Sequence, residues 1–308
     1  MTAPTWEKGP VKVYFGEKNG KYPDGNQVVV TGKDTRVVFD TPLASNRMTD
    51  VLEGADLLIL GHAHEDHCAA MHRLSHVPVY APEEDLYAIQ SIEGMMAHYG
   101  YSEATLVGMR EKITSEFFFE PRPDARPYQD NMAWELGGGV RIRAIHTPGH
   151  TRGHCVLMVE PGDIAFIGDI DLSGFGPYYG DACSDLNAFR DTLVRMEHLE
   201  ASAWITFHHK GVVTGRDTYL ELLGAFRDKI DRREAAIYDT LGAGGKTLED
   251  LVAHRFMYPQ GYSDVFLDDA ERICTSQHLA LLLAEGRIVE EGGVYRQAGA
   301  GKVRAQGS

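Results

Sequence analysis

Seven consecutive residues constrain this chain more than any others: Gly61-His62-Ala63-His64-Glu65-Asp66-His67. The three imidazoles and the carboxylate of Asp66, all within six positions, form a set of side chains suited to zinc, iron or manganese. The apolar residues 57–60 lead into this segment, and an apolar run that ends in Gly is typical of a buried strand followed by a loop. The pattern therefore predicts a strand, a loop with the first two histidines, and a helix that Asp66 caps and His67 begins.

The composition narrows the classes of protein that fit. A chain of 308 residues is long enough for one large domain or a core with an appendage. The 30 Lys and Arg residues face 45 Asp and Glu residues, a formal charge of −15, which argues against nucleic acid as a partner. Four cysteines without Cys-x-x-Cys spacing predict reduced thiols and a cytoplasmic location. Neither a signal peptide nor a membrane-spanning segment is visible, so we expect no membrane partner.

A second candidate turn lies in the middle of the chain. Residues 140–145 alternate between apolar and polar side chains, which predicts a half-buried strand. This strand leads into His146-Thr147-Pro148-Gly149-His150-Thr151-Arg152-Gly153-His154. The Pro and Gly that precede His150 predict a tight, preset turn that points one imidazole in a fixed direction.

Two later strands also end at side chains that bind metals. Residues 164–168 form an apolar run that ends in Gly and is followed by Asp169. Residues 203–207 predict another strand, followed directly by His208 and His209. Because adjacent strand residues point to opposite faces, only one of these two histidines can reach a site on one face.

Together these motifs resemble those of the metallo-β-lactamase superfamily, a group of mostly dinuclear metallohydrolases. His-x-His-x-Asp-His, Thr-Pro-Gly-His-Thr-x-Gly and a strand that ends in Gly-Asp carry the resemblance, which covers roughly the first two thirds of the chain. The core is similar to that of glyoxalase-II-like and lactonase-like members. The resemblance implies an α/β fold, a four-layer αβ/βα sandwich with the metals at one edge between two sheets.

The resemblance also implies a ligand for each position of a two-metal centre. It assigns His62, His64 and His150 to the first metal, Asp66, His67 and His209 to the second, and Asp169 to the bridge between them. The Lys-Gly pair that follows favours His209 as the last ligand, with His208 as the alternative. The remaining histidines of the Thr-Pro-Gly-His segment, His146 and His154, are interpreted as structural, and Asp171 is a weaker candidate ligand.

Further roles follow from the same resemblance. Asp40 ends a predicted strand and matches a carboxylate that orients a ligand imidazole through a hydrogen bond. Two divalent ions, zinc by default with iron or manganese as alternatives, would generate hydroxide at neutral pH. Asp66 would orient this nucleophile and pass a proton to the leaving group. We expect Tyr178 or Tyr179, in a Gly- and aromatic-rich loop, to contact substrate and stabilise an oxyanion.

The last third of the chain changes in character. Residues 1–216 are predicted to form the catalytic domain, and residues 217–308 a helical extension. Its helices and a Gly-rich hairpin near residues 286–295 resemble the winged-helix-like tail of several superfamily hydrolases, including a group of endoribonucleases. With this acidic composition we expect the tail to serve as packing or dimer surface, which makes a homodimer plausible.

The predicted function is hydrolysis of a small ester, thioester or lactone by metal-bound hydroxide. The alternative is a nuclease of the same fold, a phosphodiesterase whose winged tail holds RNA. A non-catalytic binding module ranks third, because every expected metal position is filled.

Overall fold

Two mixed β-sheets, flanked by helices, form the centre of the molecule in a computed structural model that describes residues 2–48, 50–242 and 244–298. The strands of the first sheet are β1 Trp6–Lys8, β2 Val11–Tyr14, β3 Gln27–Thr31, β4 Arg36–Phe39, β5 Leu57–Ile59, β6 Val79–Pro82 and β7 Arg126–Tyr128. Those of the second are β8 Ala133–Glu135, β9 Arg141–His146, β10 Cys155–Glu160, β11 Ile164–Gly168, β12 Ala203–Thr206 and β13 Val212–Val213. A third, small sheet contains β14 Lys246–Thr247, β15 Ile288–Glu291 and β16 Val294–Gln297.

The helices cover the outer faces of the two large sheets and form most of the C-terminal third. They are α1 Glu17–Gly20, α2 Leu86–Gln90, α3 Ile92–Tyr99, α4 Glu103–Ser115, α5 Leu186–Met196, α6 Arg216–Gly242, α7 Leu248–His254 and α8 Leu267–Ala284. Within the described residues, no helix combines the length and the hydropathy that a bilayer crossing requires. The four cysteines are buried and form no disulfides.

Alternation along the strands places one apolar core between the sheets and another outside them. Val28 and Val30 of β3 belong to the cluster between the sheets, whereas Val29 belongs to the cluster under the helices. In β10, Leu157 points inward and Val156 outward by the same rule. Because both faces of each sheet are covered, these strands are apolar at nearly every position. This architecture confirms the predicted α/β sandwich.

Strand directions bring the ends of several strands to one edge. β4 and β5 are parallel neighbours, so both end at the same side of the first sheet. In the second sheet β9 and β11 are each antiparallel to β10, and β12 is parallel to β11, so these three strands also share a direction. The loops after all five strands carry the predicted metal ligands or Asp40, which explains how residues far apart in sequence can meet.

The C-terminal helices share the apolar core of the sheets. The ring of Tyr219 on α6 stacks on Trp204 of β12, with centroids 4.1 Å apart and planes 5° from parallel. Phe226 of α6 and Cys274 of α8 belong to the same buried cluster as the outer faces of the sheets. The predicted hairpin is present as β15 and β16, with β14 as a third strand. Ala243 and residues 299–308 of the predicted extension lie outside the described residues.

The helix expected after the histidine motif does not form. Residues 65–70 are turns, followed only by a single 3₁₀ turn at Met71–Leu74. The backbone here bonds to a neighbouring loop: Thr41 donates its N–H to the carbonyl of His67 at 2.7 Å, and Ala70 donates to the carbonyl of Thr41 at 2.9 Å. These long-range hydrogen bonds replace the local ones that a helix would make. They hold the metal-binding segment against the end of β4.

Removal of the Phe226 ring tests whether the extension and the sheets fold as one unit. The substitution Phe226→Ala deletes a side chain that is 1% exposed, and we expect it to lower the free energy of unfolding by about 3–5 kcal/mol. Denaturant unfolding, followed by both tryptophan fluorescence and circular dichroism, should show one shifted transition. Val107→Ala, at a site that is 72% exposed, should change stability by less than about 0.5 kcal/mol. Two separate transitions in the wild type would contradict a shared core.

Candidate metal centre

Three imidazole nitrogens converge at the edge between the sheets. His64 Nδ1 lies 3.2 Å from His62 Nε2 and 3.1 Å from His150 Nε2, and these last two atoms are 3.2 Å apart. All three side chains are buried. Asp169 Oδ2 completes the group at 3.3 Å from His150 Nε2. Four donor atoms from three separate loops therefore surround one point.

A second group lies beside the first and contains Asp66, His67 and His208. His208 Nε2 is 2.9 Å from Asp66 Oδ2, and His67 Nε2 is 3.9 Å from Asp66 Oδ1. Asp169 contacts this group as well, because its Oδ1 lies 3.2 Å from His67 Nε2. One carboxylate thus presents one oxygen to each group, the arrangement expected of a bridging ligand.

The spacing of the donor atoms is better explained by coordination of divalent cations than by hydrogen bonds among the side chains. Tetrahedral zinc holds imidazole nitrogens about 2.0–2.1 Å away, which separates neighbouring nitrogens by about 3.3 Å. The three nitrogens of the first group have nearly this spacing. Hydrogen bonds do not account for the second group, because His67 Nε2 and Asp169 Oδ1 are buried without a hydrogen bond of good geometry. Both groups therefore fit a pair of metal ions.

The last histidine of the cluster is His208, and this corrects the prediction of His209. His209 adopts a left-handed backbone conformation with φ of 62° and points its imidazole away, where Nε2 lies 3.5 Å from Asp171 Oδ2. Its side chain is 29% exposed, against 6% for His208. Two adjacent side chains at a strand end diverge, and the Lys-Gly pair could not indicate which one turns inward.

Three of the nitrogens that face away from the cluster are held by acceptors. His67 Nδ1 lies 2.7 Å from Asp40 Oδ2, His208 Nδ1 lies 2.7 Å from the carbonyl of Gly20, and His150 Nδ1 lies 3.0 Å from the carbonyl of Tyr178. An acceptor at the outer nitrogen keeps the proton there and leaves the inner lone pair for a metal. The three imidazoles are thus fixed in the tautomer that a metal ligand needs.

Asp40 links two parts of the site. It follows β4 in a left-handed conformation with φ of 50°, and its Oδ1 accepts a hydrogen bond from the backbone N–H of Gly61 at 2.7 Å. Its other oxygen faces His67. Burial raises the pKa of the Asp40 carboxyl, although the neighbouring His67 opposes that shift. Asp40 therefore occupies the place that the sequence predicted for an orienting carboxylate.

Two residues hold the loops together: Asp85, which sequence reasoning missed, and His154, which it interpreted as structural. The buried Asp85 accepts hydrogen bonds from the backbone N–H of Ala63 at 3.2 Å, from Thr151 Oγ1 at 2.6 Å and from the backbone N–H of Gly153 at 2.9 Å, which joins both histidine loops. His154 Nε2 accepts a hydrogen bond from the backbone N–H of Asp169 at 3.3 Å. In the sequence, Asp85 stands in an acidic run that resembles an exposed turn, so no local signal marks it.

The two tyrosines predicted to contact substrate are occupied within the protein. Tyr179 is fully buried and its hydroxyl lies 2.9 Å from Nε2 of His278, which contradicts its predicted place at the substrate. Tyr178 lies beside the cluster, but its hydroxyl donates to Asp181 Oδ1 at 2.9 Å and lies 3.0 Å from the hydroxyl of Tyr101. Neither hydroxyl is free to donate to an oxyanion in this arrangement.

The surroundings raise the pKa of some histidines of the site and lower that of others. Burial opposes a charged imidazole at His64, but the hydrogen bond and charge of Asp181 raise its pKa to about 9. At His208 the opposing burial is likewise overcome, by Asp169 and Asp66, and the pKa rises to about 9. Burial and the neighbouring imidazoles instead lower the pKa of His62 well below its usual value. Cations would take the place of the protons that this negative cluster otherwise attracts.

The two adjacent histidines provide a matched pair of substitutions. We expect His208→Ala to weaken binding of one zinc ion by more than the roughly 10–100-fold that loss of an outer contact typically costs, because the change removes a donor atom. His209→Ala, one residue away, should leave both affinities unchanged. Competition with a chromophoric chelator, checked by metal analysis after dialysis, measures both. The opposite ranking would restore His209 as the ligand.

Comparison with known proteins agrees with this geometry. Residues 22–209, more than half of the chain, match the family model described as metallo-beta-lactamase superfamily. A metallo-beta-lactamase family protein from Thermus thermophilus superimposes with a TM-score of 0.68 at 21% identity, over 89% of this chain and 94% of that one. A beta-lactamase domain protein from Burkholderia ambifaria gives a TM-score of 0.70 at 17% identity, over 96% of each chain. At such identities, these structures show the shared fold alone.

Curated relatives match this chain over only part of their length. An atrochrysone carboxyl ACP thioesterase of Pseudocercospora fijiensis is 27% identical over 173 residues, 55% of this chain and 49% of the relative. A protein of the same name from Emericella nidulans is 25% identical over 183 residues, 59% of this chain and 57% of the relative. The chain thus spans about half the length of these relatives. Given the family match and the clustered His and Asp side chains, the chain belongs to the metallo-β-lactamase superfamily and is a hydrolase of that fold.

Proposed function

We propose that this protein hydrolyses the thioester of a small acyl group, with two divalent metal ions, by preference zinc, at the cluster described above. Oxygen esters and lactones are the related substrates within the same reaction class. The observation that carries the choice of thioester is that both relatives described above are ACP thioesterases. Because these relatives are matched over only part of their length, their carrier-bound substrates enter here as part of the proposal.

The donor set supports hydrolysis rather than binding alone. When bound, a pair of divalent cations would acidify a water molecule to give hydroxide at neutral pH and polarise the carbonyl under attack. His62, His64 and His150 would hold one ion and Asp66, His67 and His208 the other, with Asp169 between them. The side chain of Asp169 is 15% exposed, more than any cluster histidine, so substrate would approach from its side.

Asp66 is the residue that would accept a proton during hydrolysis and pass it to the leaving group. His208 Nε2 lies 2.9 Å from its Oδ2, and His67 Nε2 lies 3.9 Å from its Oδ1. Burial opposes the ionised form, but the neighbouring His67 and His208 lower the pKa of this carboxyl. When the metal ions are bound, this carboxylate would accept a proton from the attacking water. A leaving thiolate, with a parent pKa of about 8.5, needs that proton less than an alkoxide does.

A substrate panel tests the proposal directly. The zinc-loaded enzyme should hydrolyse acyl thioesters with a higher kcat/KM than matched oxygen esters, lactones, a phosphodiester or single-stranded RNA. Asp169→Asn should lower kcat/KM by at least about 10³-fold, equivalent to about 4 kcal/mol of transition-state stabilisation. Dialysis against a chelator should abolish turnover, and added zinc should restore it.

A second carboxylate serves as a control. Asp163→Asn changes the same type of residue in the turn that precedes β11, at the end of the strand opposite Asp169. It should leave kcat/KM unchanged. Cleavage of RNA with a steep dependence on salt, and no thioester hydrolysis, would replace this proposal with the nuclease alternative.

A further inference from the structure

We propose that the loop of residues 173–185, here called the support loop, positions two ligands of the first metal, and that Asp181 is its principal positioning residue. The C-terminal helices hold this loop in place, so the extension contributes to the metal centre without touching a metal. The inference rests on the two-metal centre of the proposed function but is independent of the substrate.

Asp181 acts on the outer nitrogen of His64. Because Nδ1 of His64 faces His62 and His150, its Nε2 points outward, where it lies 3.0 Å from Asp181 Oδ2. The pair lacks the geometry of a good hydrogen bond, but the charge of a buried carboxylate at that distance favours a proton on Nε2 and leaves Nδ1 free to bind a metal. This ion pair has the same place at the first metal as the hydrogen bond between Asp40 and His67 at the second. The first metal would thus also have a ligand fixed by a buried carboxylate.

The carboxylate of Asp181 is itself held on its other oxygen. Oδ1 accepts hydrogen bonds from the hydroxyls of Tyr101 and Tyr178, and the side chain is 1% exposed. Tyr101 precedes α4, and its ring stacks on that of Tyr99 at 5.5 Å between centroids. Both oxygens therefore have partners that arrive from different segments, which leaves the carboxylate little freedom to turn away from His64.

The support loop also holds a second ligand of the same metal. The carbonyl of Tyr178 lies 3.0 Å from Nδ1 of His150 and accepts its proton. Ser184 Oγ donates to the carbonyl of His150 at 2.7 Å. One loop thus determines the orientation of His64 through a side chain and of His150 through its backbone.

Three side chains from the extension hold the support loop. Arg233 of α6 donates to the carbonyls of Pro177 and Phe175, the latter at 2.7 Å. Gln277 of α8 donates to the carbonyl of Tyr179 at 2.9 Å, and its neighbour His278 lies 2.9 Å from the Tyr179 hydroxyl. These hydrogen bonds satisfy backbone groups that the irregular loop cannot pair internally.

Substitutions at position 181 should weaken metal binding to different degrees, depending on whether an oxygen still faces His64 Nε2. The Nε2 atom of His64 faces position 181, so an asparagine must present its carbonyl oxygen there to favour a proton on Nε2, and its amide to the tyrosines, whose hydroxyls can rotate to accept. Asp181→Asn then keeps the tautomer of His64 but loses the charge. Asp181→Ala loses both. We therefore expect the alanine variant to weaken metal binding more than the asparagine variant.

Zinc competition with a chromophoric chelator tests the proposal on the purified full-length protein. Wild type should bind two zinc ions. Asp181→Ala should weaken one of them by about 10–100-fold and leave the other unchanged, with Asp181→Asn in between. Asp40→Asn should weaken the other ion instead. Asp185→Asn is the matched control, because it lies on the same loop, caps α5 through Ala188 N–H and contacts no ligand. Asparagine caps a helix as well as aspartate does.

Different results would contradict the role of Asp181, the role of the extension and the metal centre itself. Wild-type affinity for both ions in a folded Asp181→Asn protein, together with wild-type affinity in Asp181→Ala, would overturn the role of Asp181. Gln277→Ala should weaken the same ion as Asp181→Ala but by a smaller factor, and unchanged affinity there would overturn the role of the extension. A wild type that binds fewer than two zinc ions would instead contradict the metal centre of the proposed function.

Discussion

The shared carboxylate of Asp169 is the contact on which the site depends. Six other donor side chains form two groups that would repel each other once each held a cation, and Asp169 presents one oxygen to each of them. A carboxylate between two cations lowers that repulsion and keeps the ions close. Its own position depends on the end of β11 and on the backbone hydrogen bond to His154. The position of the bridging carboxylate is therefore set where β11 ends.

The sandwich fold brings the ligands together because the direction of the strands, and not the separation in sequence, decides which residues meet. His62 and His150 are 88 residues apart in sequence, yet each follows a strand that ends at the same edge. Asp85 then joins the two histidine loops by accepting from three donors. A buried carboxylate with several donors is stabilising only when all of them are in place, so the two loops depend on each other.

Much of this could be predicted from the sequence, and the limits have physical causes. Strand alternation and Gly-terminated apolar runs indicated the two sheets, and the spacing of His62, His64 and Asp66 indicated a metal-binding loop. The choice between His208 and His209 depends on a left-handed backbone conformation that no neighbouring residue specifies. The helix expected after His67 is displaced by hydrogen bonds to Thr41, a partner remote in sequence. Asp181 and Asp85 act through such remote contacts as well, and neither falls in a recognisable motif.

The stack of Tyr219 on Trp204 has a consequence for how this chain could have changed over time. An appended module joined by a flexible linker can be exchanged between proteins, because few contacts cross the junction. Here the first turn of α6 places an aromatic ring directly on a strand that leads to the active site. A chimera that took its last third from a distant relative would have to bring the matching surface of β12 with it. We therefore expect substitutions on α6 and on β12 to be coupled, so that the last third of the molecule changes together with the rest.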